Sequence, residues 1–165
     1  MQYREESKTR LDRAQEIAIE QIGNLPARSR VAVGDTSSQN PILFQADLPS
    51  AQTRIESLEI RPIGYALNNR LRVALMLQDE DRGRTLDSQS SVPVDLRHDR
   101  SVREIYLFTD LARSAWKLNA AKFLRGELAR LDWVNVYLID VGAVSPKNIS
   151  IQSIDLSQQT VAAGS

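Results

Sequence analysis

The sequence predicts an α/β fold, a mostly parallel sheet with helices on both faces. Three observations carry this. Arg103-Glu-Ile-Tyr-Leu-Phe-Thr-Asp110 is a short, almost continuous apolar run rich in aromatic and branched residues, and Trp133-Val-Asn-Val-Tyr-Leu-Ile-Asp-Val-Gly142 is a second. Ser114 to Leu131, between them, has the spacing of an amphipathic helix. Strand, helix, strand is the βαβ unit of a sheet buried on both faces, whose strands read as continuous apolar runs. Such sheets bind ligands beyond the carboxyl ends of their strands. Asp110 is therefore expected where binding or chemistry would occur.

The remaining elements follow from local pattern. Leu11, Ala14, Ala18, Ile22 and Leu25 recur at spacings of three and four, which predicts a first helix over 8–22. Thr9 and Asp12 stand at capping-box spacing, and Gly23-Asn24 with Pro26 supplies a stop. Arg30 to Thr36 reads as a strand running into a polar turn, Ser37 to Asn40, and Ile42 to Ala46 as a second short strand, a hairpin partner or an edge. Ser50 to Leu58 reads as a short helix with Ser50 as N-cap. Pro62-Ile63-Gly64 breaks the chain before a third helix from Tyr65 to Gln78, with Leu67, Leu71, Ala74 and Leu75 inward. Residues 79–101 are charge-rich and read as a long surface loop. Strands at 103–109 and 133–139 flank the helix at 114–131. Ile149, Ile151, Ile154 and Leu156 suggest a final strand running into an extended tail.

Composition narrows the function classes. The chain has 165 residues, enough for one domain with its own core, and 21 basic against 21 acidic side chains. No basic excess points to nucleic acid or an anionic lipid surface. There is no cysteine, so disulfides and thiolate metal sites are excluded. No apolar run approaches the roughly 18 residues of a membrane span. The polar start, Met-Gln-Tyr-Arg-Glu-Glu-Ser-Lys, lacks the apolar core of a signal peptide. The chain reads as soluble.

Three local sequences, taken in order, resemble a von Willebrand factor type A (VWA) domain over about residues 1–152. Thr9-Arg-Leu-Asp-Arg-Ala-Gln-Glu-Ile-Ala with Leu25-Pro-Ala-Arg-Ser-Arg-Val-Ala-Val resembles that family's first helix, turn and second strand. Ile60-Arg-Pro-Ile-Gly-Tyr-Ala-Leu-Asn-Asn-Arg-Leu is similar to its Gly-Thr-x-Leu loop opening a helix. Ile105-Tyr-Leu-Phe-Thr-Asp110 matches the strand ending in Thr-Asp-Gly, and Val134 to Gly142 the strand after it. The nearest flavour is the VWA region of large bacterial membrane proteins of the aerotolerance (BatA-like) kind. The resemblance thus implies a doubly wound, Rossmann-like sheet and a membrane-associated parent protein. Residues 153–165 would be a tail or the start of a further domain.

The family holds a divalent cation at a metal-ion-dependent adhesion site, whose core is Asp-x-Ser-x-Ser after the first strand. That strand and loop have no counterpart here, since Met1 stands seven residues before the first helix. Tyr65 falls where the family has a metal-binding Thr, and Leu111 replaces the Gly after Asp110. Of the usual ligands only Asp110 remains. One carboxylate is a poor site for Mg²⁺, which demands octahedral oxygen coordination. The resemblance therefore implies no cofactor, with Mg²⁺ expected only if an upstream Asp-x-Ser-x-Ser segment is present. It also implies a missing central strand, and with it a truncated chain or a start assigned too late.

Candidate residues are then few. Asp110 is either a functional strand-end carboxylate or the N-cap of the segment beginning near Ala112. Asp35, Thr36 and Ser37 end a strand on the same sheet edge; they line a cleft or form a polar turn. Tyr65 closes that cleft or is a first-turn helix residue. Asp140 is expected to serve its own loop, and Trp116 and Trp133 to pack. The lone histidine, His98, stands in the charged loop, with no Gly-x-Ser-x-Gly elbow to make a triad. Arg82, Arg84, Arg97, Arg100 and Arg103 are matched by nearby acids and read as a solvated loop, not a nucleic-acid patch. The expected function is non-enzymatic: a protein-interaction or scaffold module of a larger envelope-associated bacterial protein, its protein partner unknown. Two alternatives stand beside it, a fragment without independent function and a phosphoryl-transfer or hydrolase domain using Asp110. The enzyme reading lacks the second carboxylate and the phosphate-binding lysine or backbone nest such chemistry needs.

Overall fold

The computed structural model describes residues 4–5, 8–37, 41–61 and 64–142. The expected final strand and tail after Gly142 lie outside them. The architecture is mixed α/β. A short antiparallel pair, β1 (Arg4–Glu5) and β2 (Lys8–Thr9), leads into α1 (Arg10–Gly23). The expected capping box is present: the Thr9 hydroxyl accepts the Asp12 amide at 3.1 Å, and Asp12 accepts the Thr9 amide at 2.7 Å. β3 (Ala32–Val33) and β4 (Leu43–Phe44) pair antiparallel, so the segment at 42–46 is a hairpin partner.

α2 (Leu48–Glu56) starts earlier than expected, because Asp47 and not Ser50 is its N-cap. Asp47 Oδ1 accepts the Ser50 amide at 2.7 Å, and Pro49 fits the first turn, where no amide is needed. α3 (Leu67–Asp87) runs two and a half turns past its expected end. The residues read as a loop from Asp79 to Asp87 are helical. The surface segment is the shorter 88–102, with one 3-10 turn at Val94–Leu96, and His98 is exposed on it.

The βαβ unit forms as read. β5 (Glu104–Thr109) and β6 (Asn135–Asp140) pair in parallel over six residues, from Glu104↔Asn135 to Thr109↔Asp140. The connecting helix is shorter than expected. A 3-10 turn at Arg113–Ala115 and an extended Trp116–Lys117 precede α4 (Leu118–Leu128). The break has a cause: Asn68 at the start of α3 is buried, and its Oδ1 accepts the Lys117 amide at 2.8 Å.

The single, mostly parallel sheet expected from sequence is not what the described residues form. They form three separate two-stranded pairs, of which only β5–β6 is parallel. β3 is two residues long and is taken up by β4, while among the described residues β5 has a strand neighbour on one side only. Two apolar cores result. Ile22, Val33, Ala51 and Ile55 join α1, α2 and β3. Leu71, Leu75, Leu124 and Val134, with Ile105, Trp133 and Val136 against them, join α3, α4 and the inner face of β5–β6. Strand alternation puts Tyr106 and Tyr137 on the opposite, open face, where they are 37% and 40% exposed.

Candidate functional site

The carboxyl end of β5 is built by alternating duties of three residues. Thr109 is buried; its carbonyl accepts the Val141 amide at 2.9 Å and its hydroxyl the Leu111 amide at 3.1 Å. Asp110 Oδ1 accepts the Ala112 amide at 3.2 Å, an Asx turn and not a helix cap. Leu111 has φ 55°, in the left-handed region where glycine fits without cost and a leucine does not.

Asp110 is not a bare carboxylate. Arg10, the first residue of α1, sets Nη1 2.5 Å from its Oδ2, and the two side chains are only 17% and 11% exposed. Burial pushes the Asp110 carboxyl up, but the Ala112 amide and the Arg10 guanidinium outweigh it and hold it below the usual carboxylate range. One turn on, Arg13 Nη1 reaches the Gly142 carbonyl at 3.4 Å. Asp140 serves its loop as expected, its Oδ1 accepting the Gly142 amide at 2.7 Å. The start of α1 thus lies over the ends of both parallel strands.

This donor set does not fit Mg²⁺. The Asp110 carboxylate already faces a guanidinium and an amide, where an octahedral cation would need further oxygens and a clear approach. Among the described residues, no three His, Asp or Glu side chains gather in a metal-binding group.

The other candidates form a second cluster. Asp35 Oδ1 accepts the Ser37 amide at 2.7 Å, the turn read from sequence. The Asp35 carbonyl accepts Arg70 Nε at 2.6 Å, and the Thr36 carbonyl accepts the Tyr65 amide at 2.6 Å. Gly64 passes so close to Thr36 that a Cβ there would stand 3.0 Å from its hydroxyl. Tyr65 precedes α3 and is 52% exposed. The structure therefore brings Asp35, Thr36, Ser37 and Tyr65 together through backbone bonds.

Sequence reasoning missed the most buried ionic group. Arg103 is 5% exposed and sits at the start of β5. Its Nε meets Asp99 at 2.5 Å, and its Nη1 meets Asp81 Oδ2 at 3.0 Å and Gln78 Oε1 at 3.0 Å. Arg30 binds the other oxygen of Asp81. Burial lowers the Arg103 pKa, and the two carboxylates more than restore it, raising it overall. Burial likewise raises the Asp99 carboxyl, while the Ser101 amide and Arg103 hold it below its ordinary range. Asp81, Asp99 and Arg103, read as solvated loop charges, tie α3 to β5, and Arg30, read as the start of a strand, ties them to the chain before β3.

No helix among the described residues is long and apolar enough to cross a membrane. Comparison with protein-family models, with curated proteins and with solved structures finds no match to this chain.

Proposed function

We propose that this chain is a non-enzymatic protein-interaction module, VWA-like in design, belonging to a larger envelope-associated bacterial protein. Its binding element is the outer edge of β5. One observation carries this reading. Among the described residues β5 pairs only with β6, through the backbone groups of the odd-numbered residues, as the bonds Asn135 N to Arg103 O and Val141 N to Thr109 O mark. In a parallel ladder the intervening residues turn their amides and carbonyls the other way. Those of Tyr106 and Phe108 therefore point outward along an open edge. A two-stranded parallel sheet is rare, since parallel sheets are normally broad and buried on both faces. A strand added at this edge would extend the sheet, a known mode of peptide recognition.

The pairing of Asp110 with Arg10 supports the non-enzymatic reading. A carboxylate held by a guanidinium is a weakened nucleophile and a poor metal ligand. VWA-like design rests on the strand, helix, strand unit ending at Asp110 and on the resemblance alone.

The test selects random displayed peptides on the chain, followed by amide hydrogen exchange with the best binder. The expected binders alternate apolar and polar residues and slow exchange at Tyr106 and Phe108. Binders that leave both amides exchanging as before would overturn the edge as the site.

A further inference from the structure

We infer that Tyr106 and Tyr137 form an oxidative modification site, where a one-electron oxidant couples the two rings into an intramolecular dityrosine bridge across β5 and β6. The pair stands directly opposite in the parallel register, and the ring centroids are 5.0 Å apart, stacked at 20°. The hydroxyls converge on one side chain. Tyr106 donates to Glu104 Oε2 at 2.9 Å and Tyr137 to Glu104 Oε1 at 3.2 Å. Both hydroxyls of the stacked rings end on one carboxylate, which turns the two phenol ends, and with them the carbons ortho to the hydroxyls, the same way along the stack. These are the carbons at which phenoxyl radicals couple. Both rings lie on the open face of the pair and are reachable by an oxidant from solution.

Glu104 supplies the second requirement, a proton acceptor. Each tyrosine gives up one electron to the oxidant and one proton; the two radicals then form one carbon–carbon bond between ortho carbons. Each coupled ring loses its ortho hydrogen as a proton, and each oxygen regains one, restoring two phenols. The net loss is two electrons and two protons, taken by a haem peroxidase with hydrogen peroxide, which is reduced to water. Both phenols are held in the protonated form. For Tyr106 burial is the larger cause and the Glu104 carboxylate the next; for Tyr137 Glu104 leads. Oxidation therefore runs through the hydrogen-bonded phenol, with the proton leaving to Glu104, and not through a free phenolate.

The inference is independent of strand addition, because it uses the side-chain face of the sheet and not the backbone edge. It separates two of the chain's four tyrosines, Tyr106 and Tyr137, from Tyr3 and Tyr65. The test treats dilute protein with horseradish peroxidase and hydrogen peroxide. Dityrosine fluorescence, intact mass and tryptic mapping are the readouts. The expected product is a monomer lighter by two hydrogens, with peptide 104–113 joined to peptide 131–147. Tyr106→Phe and Tyr137→Phe, which keep the ring stacking, each abolish that joined peptide. Glu104→Gln keeps a hydrogen-bond acceptor but takes no proton, and coupling slows by about a hundredfold or more, the lower end of what a positioned general base contributes. Fluorescence that survives in either phenylalanine variant, or that appears only in covalent dimers, overturns the site. Glu104→Gln at full rate overturns the role of the carboxylate.

Discussion

Arg10 and Asp110, a hundred residues apart in sequence, meet as an ion pair at 2.5 Å over the end of the parallel strands. Both side chains are mostly buried, so the pair is not a screened surface contact. Removing one partner leaves a charge that has lost water without compensation. Asp110→Asn keeps the bond to the Ala112 amide and loses the charge. It is expected to destabilise the chain by about 2–3 kcal/mol at neutral pH. The folded-state pKa of Asp110 is lowered, so its stabilisation is complete above the unfolded value of about 3.9 and is lost as pH falls through the folded value. The gap between wild type and Asp110→Asn, measured by urea unfolding, is therefore expected to narrow in acid. A gap constant with pH would show that the charge of Asp110 contributes nothing.

The same pair sets an expectation for metal. A ligand bound only by the folded state raises the unfolding midpoint in proportion to the logarithm of its excess over Kd. With Arg10 on Asp110, millimolar Mg²⁺ is expected to leave the midpoint where a matched ionic strength of NaCl leaves it. A rise specific to Mg²⁺ and absent in Asp110→Asn would show that the cation displaces Arg10.

Arg103 joins Asp81, Asp99 and Gln78 with its side chain 4% exposed. Arg103→Met is expected to cost about 3–5 kcal/mol, the range for breaking a buried charge pair from one side. Arg103→Lys is expected to recover only part of this, because one ammonium cannot replace a planar fork serving partners in several directions. Chemical denaturation of the three proteins decides it. A Lys variant as stable as the parent would mean that charge alone, not fork geometry, holds the cluster.

The sequence made the elements with apolar rhythm legible and hid those held by polar contacts. The parallel pair and α1 were readable because their core residues repeat at strand or helix spacing, and the Thr9–Asp12 cap because both partners are local. The sequence pattern ends α3 at Gln78 because its apolar stripe ends with Leu75 and Leu77. Its last turns are anchored instead by Asp81, bound to Arg30 and Arg103, and by Thr85, whose hydroxyl donates to the Asp81 carbonyl at 2.9 Å. Hydrophobic periodicity cannot register a buried carboxylate whose partners lie 51 and 22 residues away. At the candidate site the place of Asp110 was legible from its strand. The guanidinium facing it was not, because nothing in the pattern of α1 distinguishes Arg10 from a solvated helix residue.

Leu111 offers a test of how the strand end is strained. Its φ of 55° places a γ-branched side chain in the left-handed region, which costs a non-glycine residue on the order of 1 kcal/mol or more. The side chain is 47% exposed, so it returns only part of that by burial. Leu111→Gly removes the strain but adds freedom to the unfolded chain, worth about 0.5–1 kcal/mol against folding. The balance is expected to be a small gain, about 0.5 kcal/mol. Leu111→Val is expected to lose about 1 kcal/mol, because β-branching makes the left-handed conformation worse. Denaturant midpoints of the three proteins order as Gly, Leu, Val if the backbone conformation governs. The order Leu, Gly, Val, with glycine clearly below the parent, would show that the leucine side chain contributes more by packing than its backbone loses by strain.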